Sequence, residues 1–183
     1  MRFVETALPG AWLIEIDRMP DERGFFARTF CHAEYARHGL PDRIVQQSVS
    51  WNEHAGTVRG LHFQRHPDAE DKLVRVTAGA IHDVIVDLRP GSVTQGHWLG
   101  IELSARNRRQ LLVPKGFAHG FQVLEPATEV LYQMSVEYVP GASAGILWND
   151  PDLAITWPIA IDPADTRLLS AKDAALPRLK DFK

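Results

Sequence analysis

The chain predicts an all-β fold, an antiparallel sandwich or barrel with a few short helices, and three observations carry that expectation. Short apolar runs recur along most of the sequence, several of them alternating in and out with period two. Gly, Pro, Asn and Asp punctuate these runs at close and regular intervals. Helix-length amphipathic periodicity is sparse. Many short strands with frequent turn signals are the pattern of sandwiches and barrels.

The strand candidates follow in order. Trp12–Ile16, Gly24–Phe30, Ile44–Ser50, Asp71–Thr77 and Ile81–Leu88 come first, then Gly96–Leu103, Arg109–Pro114, Gly120–Leu124 and Glu129–Ser135. In Asp71–Thr77, Lys72, Val74 and Val76 share one face and Leu73, Arg75 and Thr77 the other. Ala78-Gly79, Arg89-Pro-Gly91, Ala105-Arg-Asn107 and Pro140-Gly141 supply turns. Cys31–His38 predicts two helical turns ahead of Gly39-Leu-Pro41, and Ser170–Leu176 one short helix with Ser170 as N-cap. No repeat, linker or low-complexity segment divides residues 1–183, so one domain is expected.

Composition narrows the function. A length of 183 residues suffices to bury a sizeable core. The formal net charge of −3 argues against a nucleic-acid partner, so any anionic ligand must be held by local cations. A lone Cys31 rules out an internal disulfide framework and a cysteine zinc site, and suits a reducing, cytoplasmic setting. Neither a signal peptide nor a membrane-length apolar run is legible.

Two blocks concentrate the chemistry: Arg59-Gly-Leu-His-Phe-Gln64, followed shortly by Asp71-Lys72, and Pro114-Lys-Gly-Phe-Ala-His-Gly-Phe121. They bring Arg59, His62, Lys72 and His119 onto what read as neighbouring strands, a mixture of bases and cations that a core does not need, because unpaired charges are costly to desolvate. His62 lies between Leu61 and Phe63 and points opposite to both. It reads either as a core-edge histidine or as a general base. Lys72 is either a surface lysine or an ammonium that stabilises an enolate. Arg59 and Arg23 can clamp phosphate oxygens with guanidinium forks, although arginine beside glycine is common in turns. His62, His66, Glu70 and His119 superficially suggest the metal sets of cupin barrels, but His66 precedes Pro67 in a polar turn, out of register with His62. The metal reading is therefore the minor one. Tyr132 and Tyr138 are packing residues or, if they reach the pocket, general acids.

The same segments resemble the dTDP-4-dehydrorhamnose 3,5-epimerases over nearly the whole length, from Asp21-Glu-Arg-Gly-Phe-Phe26 to Leu169-Ser-Ala-Lys-Asp173. The most specific blocks are Arg59–Gln64, Lys72-Leu-Val, Asp83–Arg89, Pro114–Phe121 and Trp148-Asn-Asp-Pro151. The resemblance implies a jelly-roll sandwich of the cupin type, a homodimer with no metal or cofactor, and inversion of C3, C5 or both in a nucleoside-diphosphate 4-keto-6-deoxyhexose. It implies His62 as base with Asp173 as its carboxylate, Lys72 beside the keto oxygen, Tyr132 as the acid on the opposite face and Tyr138 as a candidate to share that role. It assigns Arg23, Phe26, Gln47, Arg59, His119 and Lys172 to binding, with Arg23–Phe26 reaching a partner subunit's pocket. Arg28, Val49 and Ser143 depart from the family pattern at positions expected to bind substrate. The rival readings are a regiospecific epimerase on another nucleotide sugar, a metal-dependent cupin enzyme, and a sugar-nucleotide-binding module without turnover.

Overall fold

A computed structural model describes residues 1–182. Among them, in chain order, run strands β1 (Arg2–Glu5), β2 (Trp12–Glu15), β3 (Arg18–Asp21) and β4 (Gly24–Ala27), then helix α1 (His32–Arg37). There follow β5 (Gln46–Asn52), β6 (Val58–Gln64), β7 (Lys72–Ala78), β8 (Ala80–Asp87), β9 (Trp98–Ser104), β10 (Gln110–Val113), β11 (Phe117–Val123), β12 (Thr128–Met134), β13 (Ser143–Gly145) and helix α2 (Ala171–Ala174). Strands β1-β2-β10-β7-β12-β5 form a six-stranded sheet and β13-β6-β11-β8-β9 a five-stranded one, while β3 and β4 make a separate hairpin. Every pairing between these strands is antiparallel.

The expected strands are all present, most with ends shifted by one or two residues. Gly24–Phe30 is cut to Gly24–Ala27, because the chain leaves the hairpin to enter α1. β1, β3 and β13 were not anticipated. Each is three or four residues long and too polar or too small to announce itself by period. Both helices are shorter than expected, and Ser170 does cap the second, its Oγ accepting the Asp173 N–H at 3.1 Å.

The two sheets face each other across one core. Val74, Val76, Leu111, Val113 and Val130 of the six-stranded sheet meet Ile81, Ile85, Leu103, Phe117, Phe121 and Val123 of the five-stranded one. Burial of these side chains at roughly 1.5–3 kcal/mol each is the main driving force for closing the sandwich. The outer faces are covered too. Helix α1 places Tyr35 over Ile14, Leu73 and Leu112. Leu153, Ile155, Trp157, Leu179 and Phe182 from the C-terminal stretch cover Leu61, Phe63, Val84, Val86 and Ile146. A strand such as β8 is thus buried on both faces, and its sequence is nearly continuous in apolar residues.

The end of β8 is anchored by charge. Asp87 is fully buried and accepts hydrogen bonds from Arg89 Nε at 2.9 Å, Arg89 Nη2 at 2.7 Å, Ser92 Oγ at 2.6 Å and Thr94 Oγ1 at 2.7 Å. Burial alone would raise its pKa, but these donors outweigh it and hold the carboxyl far below the usual range. The stabilisation is therefore complete above the ordinary carboxylate pKa of 3.8 and is lost as pH falls below it. Asp87→Asn is expected to lower unfolding free energy by about 2–3 kcal/mol at pH 7 and to flatten the decline between pH ~4 and ~2, in urea titrations at several pH values.

Candidate active site

Toward one end of the sandwich, polar residues replace the apolar inner layer and line a cavity of about 470 Å³. The six-stranded sheet supplies one wall through its inward-facing positions. Gln46, Ser48 and Ser50 come from β5, Tyr132 and Met134 from β12, and Lys72 from β7. The register aligns Met134 with both Lys72 and Gln46, and Tyr132 with Val74 and Ser48. Lys72 therefore lies one inward-facing position along the sheet from Tyr132, roughly 7 Å at strand spacing. The five-stranded sheet supplies the other wall, where His62 of β6 pairs directly with His119 of β11.

The sequence lets these two strands approach unusually closely. A Cβ on Gly60 would sit 2.7 Å from both Gly120 Cα and the His119 carbonyl oxygen, and Gly60 has φ +110°. A Cβ on Gly120 would sit 2.6 Å from the Arg59 carbonyl. Glycine is required at both positions, since neither backbone can give way.

Each histidine carries its own carboxylate. His62 Nε2 lies 2.7 Å from Asp173 Oδ1, and the Gly60 N–H donates to Asp173 Oδ2 at 3.3 Å. Burial would raise the Asp173 pKa. The hydrogen bond and charge of His62, the Gly60 N–H and Ser170 together hold it below its ordinary value. An ionised Asp173 can only accept, so His62 Nε2 is the donor, and in the neutral imidazole Nδ1 carries the lone pair. His119 Nε2 lies 2.8 Å from Asp83 Oδ1, both groups being buried. The His119 ring stands edge-on to Tyr132, with centroids 6.1 Å apart. Burial of the Tyr132 hydroxyl, reinforced by the charge of Asp83, pushes its pKa well above the ordinary 10, against the opposing influence of Arg59 and a hydrogen bond with Ser50. Tyr132 is thus a protonated donor throughout the physiological range.

The cations occupy distinct places. Lys72 Nζ is 2.7 Å from Glu70 Oε1. Arg59 Nε donates to Asn52 Oδ1 at 2.7 Å and Nη2 to the Trp51 carbonyl at 3.3 Å. Lys172 and Tyr138 complete the rim.

Of the residues singled out in the sequence, His62, Asp173, Lys72, Tyr132, Tyr138, Arg59, His119 and Lys172 line this one cavity. Arg23, Phe26 and Gln47 do not. Arg23 and Phe26 sit on the exposed β3–β4 hairpin. Gln47 points to the opposite face of β5, where it accepts a hydrogen bond from Gln133 at 3.2 Å. Strand alternation puts Gln46 in the cavity instead. Of the three departures, Val49 shares the outer face of β5 with Gln47 and Arg28 pairs with Glu34, so Ser143 alone lines this subunit's cavity. Gln46, Ser48, Ser50 and Asp83 were not singled out for this site, and Glu70 only within the superficial metal set. The polar Gln46-x-Ser-x-Ser50 alternation could have pointed to the first three, whereas nothing local marks Asp83. His66 lines a different cavity beside Arg65 and Phe182, and the described residues contain no group of three or more His, Cys, Asp or Glu placed to hold a metal ion.

The profile of the dTDP-4-dehydrorhamnose 3,5-epimerase family matches residues 5–181. The chain belongs to that family. Its members are carbohydrate epimerases. A dTDP-4-dehydrorhamnose 3,5-epimerase of Methanothermobacter thermautotrophicus is 45% identical over 172 residues, covering 94% of this chain and 91% of the relative. A crystal structure of the Bacillus anthracis epimerase with TDP and PPi bound superposes with a TM-score of 0.91 at 46% identity, covering 97% of this chain and 98% of the other. The Legionella pneumophila epimerase, in complex with dTDP-4-keto-L-rhamnose, gives a TM-score of 0.90 at 39% identity over 100% of this chain and 94% of the other. The fold is accordingly the cupin-like jelly roll of this epimerase family.

The glycine pair is the local requirement most open to test. Gly60→Ala is expected to cost about 2–4 kcal/mol or to prevent folding, because both the positive φ and the backbone clash oppose it, whereas Gly141→Ala, with open space around the added Cβ, should be neutral in the same urea titration.

Proposed function

We propose that the protein inverts C3 and C5 of dTDP-4-dehydro-6-deoxyglucose to give dTDP-4-dehydrorhamnose, using His62 as base and Tyr132 as acid. The observation that carries this reading is the placement of the two groups on facing walls of one cavity, His62 on the five-stranded sheet and Tyr132 on the six-stranded one. Net inversion needs a proton removed from one face of the sugar and returned to the other, which a single residue cannot do.

Hydrogens on C3 and C5 are acidic because each lies beside the C4 ketone. The His62 Nδ1 lone pair takes one of them, and the C–H electron pair moves into an enolate whose charge rests on the C4 oxygen. The imidazolium so formed is stabilised by Asp173. The Lys72 ammonium offsets the enolate charge, a preorganised electrostatic contribution of the kind worth about 10²–10³-fold. The Tyr132 hydroxyl then donates its proton to carbon from the opposite face as the enolate electrons return, after which solvent restores both residues. Its high pKa suits an acid that must stay protonated until a carbanionic carbon demands the proton. Arg59 and Lys172 at the rim are the cations for the diphosphate, which an acidic chain cannot attract by overall charge. The nucleotide-bearing ligands of the B. anthracis and L. pneumophila relatives support dTDP as the carrier.

A homodimer completes this reading. β5 is an open edge of the six-stranded sheet and exposes Val49 and Trp51, and the β3–β4 hairpin exposes Met19, Phe25 and Phe26. An open edge with exposed apolar side chains is a pairing surface. Arg23, Phe26 and Gln47, which miss their own cavity, are then the residues one subunit offers to its partner. The working location is the reducing cytoplasm, in keeping with Cys31 as the one cysteine of the chain.

Proton NMR of the keto sugar nucleotide in D₂O tests the chemistry. The wild type should wash deuterium into C3 and C5 and yield the rhamno product. His62→Ala should slow exchange at both carbons by at least ~10²-fold with dTDP affinity within about twofold, and an exchanging variant would remove His62 as the base. Tyr132→Phe should depress product formation more than exchange, and equal retention of both would transfer the acid role to Tyr138 or water. For the assembly, light scattering should give a dimer, and Phe26→Asp should yield monomers whose dTDP affinity is lower by about tenfold or more; monomers binding dTDP normally would refute a shared site.

A further inference from the structure

Glu70 lies outside every role described so far, yet it lines the same cavity. Its carboxylate Oε1 is 2.7 Å from Lys72 Nζ, and the two side chains are only 9% and 13% exposed. The pair is two residues apart in sequence, Glu70 in the connection that leads from β6 and Lys72 at the first position of β7. On a strand such neighbours would lie on one face, but Glu70 precedes the strand and turns back on the ammonium from the loop. The other carboxylates at the site are already engaged, Asp173 by His62 and Asp83 by His119, so Glu70 is the acidic group that Lys72 meets.

An ammonium on a flexible four-carbon stem is a poor electrostatic catalyst unless something holds it. Buried without a partner it would either retract toward solvent or carry a large desolvation penalty. Glu70 removes both difficulties. It takes one of the three N–H donors of Lys72 and leaves two for the substrate. We infer that Glu70 is a positioning residue for the epimerisation, holding the Lys72 ammonium where the C4 oxygen of the enolate forms; the inference rests on the epimerase reading above. Glu70 itself makes no bond to the reacting atoms. Its negative charge lowers the cost of burying the ammonium but offsets part of the help that Lys72 gives, so the positioning itself rests on the hydrogen-bond acceptor. Glutamine supplies the acceptor without the charge, and alanine supplies neither.

The test is a set of variants, Glu70→Ala, Glu70→Gln, Lys72→Ala and Glu70→Ala/Lys72→Ala, assayed on the full-length protein by deuterium exchange, steady-state turnover, dTDP affinity and thermal midpoint. Glu70→Ala should lower kcat by about tenfold or more with KM and dTDP affinity within about threefold, since misplacing a group near the reacting centre is felt mainly in the transition state. Glu70→Gln should recover most of that loss. On the Lys72→Ala background, Glu70→Ala should have no further effect, because a residue that acts through another is silent once the other is gone. Full activity in Glu70→Ala, an equal loss in Glu70→Gln, additive losses in the double variant, or a fall in thermal midpoint that alone accounts for the lost activity would each overturn the inference. A wild type that exchanges neither C3 nor C5 hydrogens would overturn the epimerase reading itself, and is told apart because the unmutated protein is then inert.

Discussion

The hydrogen bond between His62 and Asp173 is the contact on which the rest of the site depends. Its partners are 111 residues apart, one on a central strand and the other on the last helix. The bond exists only when the C-terminal stretch has crossed the outer face of the five-stranded sheet and packed Trp157, Leu179 and Phe182 against Leu61, Phe63 and Ile146. One contact therefore couples closure of that outer layer to the tautomer of the proposed base. Ser170 serves both ends of this coupling, since it caps the helix and helps to keep the Asp173 carboxyl ionised.

The cavity follows a general rule for charges taken out of water. Three ionisable groups that line it each meet a carboxylate within 2.8 Å: His62 with Asp173, His119 with Asp83, and Lys72 with Glu70. Tyr132 has no such partner and does not need one, because its neutral form is the one that burial favours. The site thus separates charge-bearing groups, held by pairing, from a neutral phenol, kept protonated by desolvation. A base and an acid with opposite environments on facing walls are what an inversion of configuration asks for.

The same sandwich explains why part of the expected binding set is missing from the cavity. A β-strand shows alternate residues to opposite faces, so β5 cannot bring both Gln46 and Gln47 inward. Gln47, Val49 and Trp51 end on the outer face beside an unpaired sheet edge, and the β3–β4 hairpin carries Arg23 and Phe26 away from the subunit's own pocket. These are the residues that the proposed dimer would use.

Much of this was legible before any coordinates. Period-two alternation and dense turn residues identified the strands that build both sheets, and the Arg59–Gln64 and Pro114–Phe121 blocks identified two adjacent strands of one wall of the site. Short strands such as β1, β3 and β13 escaped, because three or four residues carry too little periodicity to stand out. Register escaped as well: that His62 and His119 are direct neighbours, that Gly60 and Gly120 must both be glycine, and that Gln46 faces inward are matters of which residue opposes which. Asp83 was invisible as a site residue, and Glu70 was legible only as a candidate metal ligand and not as the partner of Lys72, for the same reason: a carboxylate gains its role from the partner it meets. The sequence by itself determined the fold class and the chemical inventory, because those depend on local pattern and residue type. Only the tertiary structure decided the pairings, because they are made between residues far apart in the chain or in loops whose course no local pattern dictates.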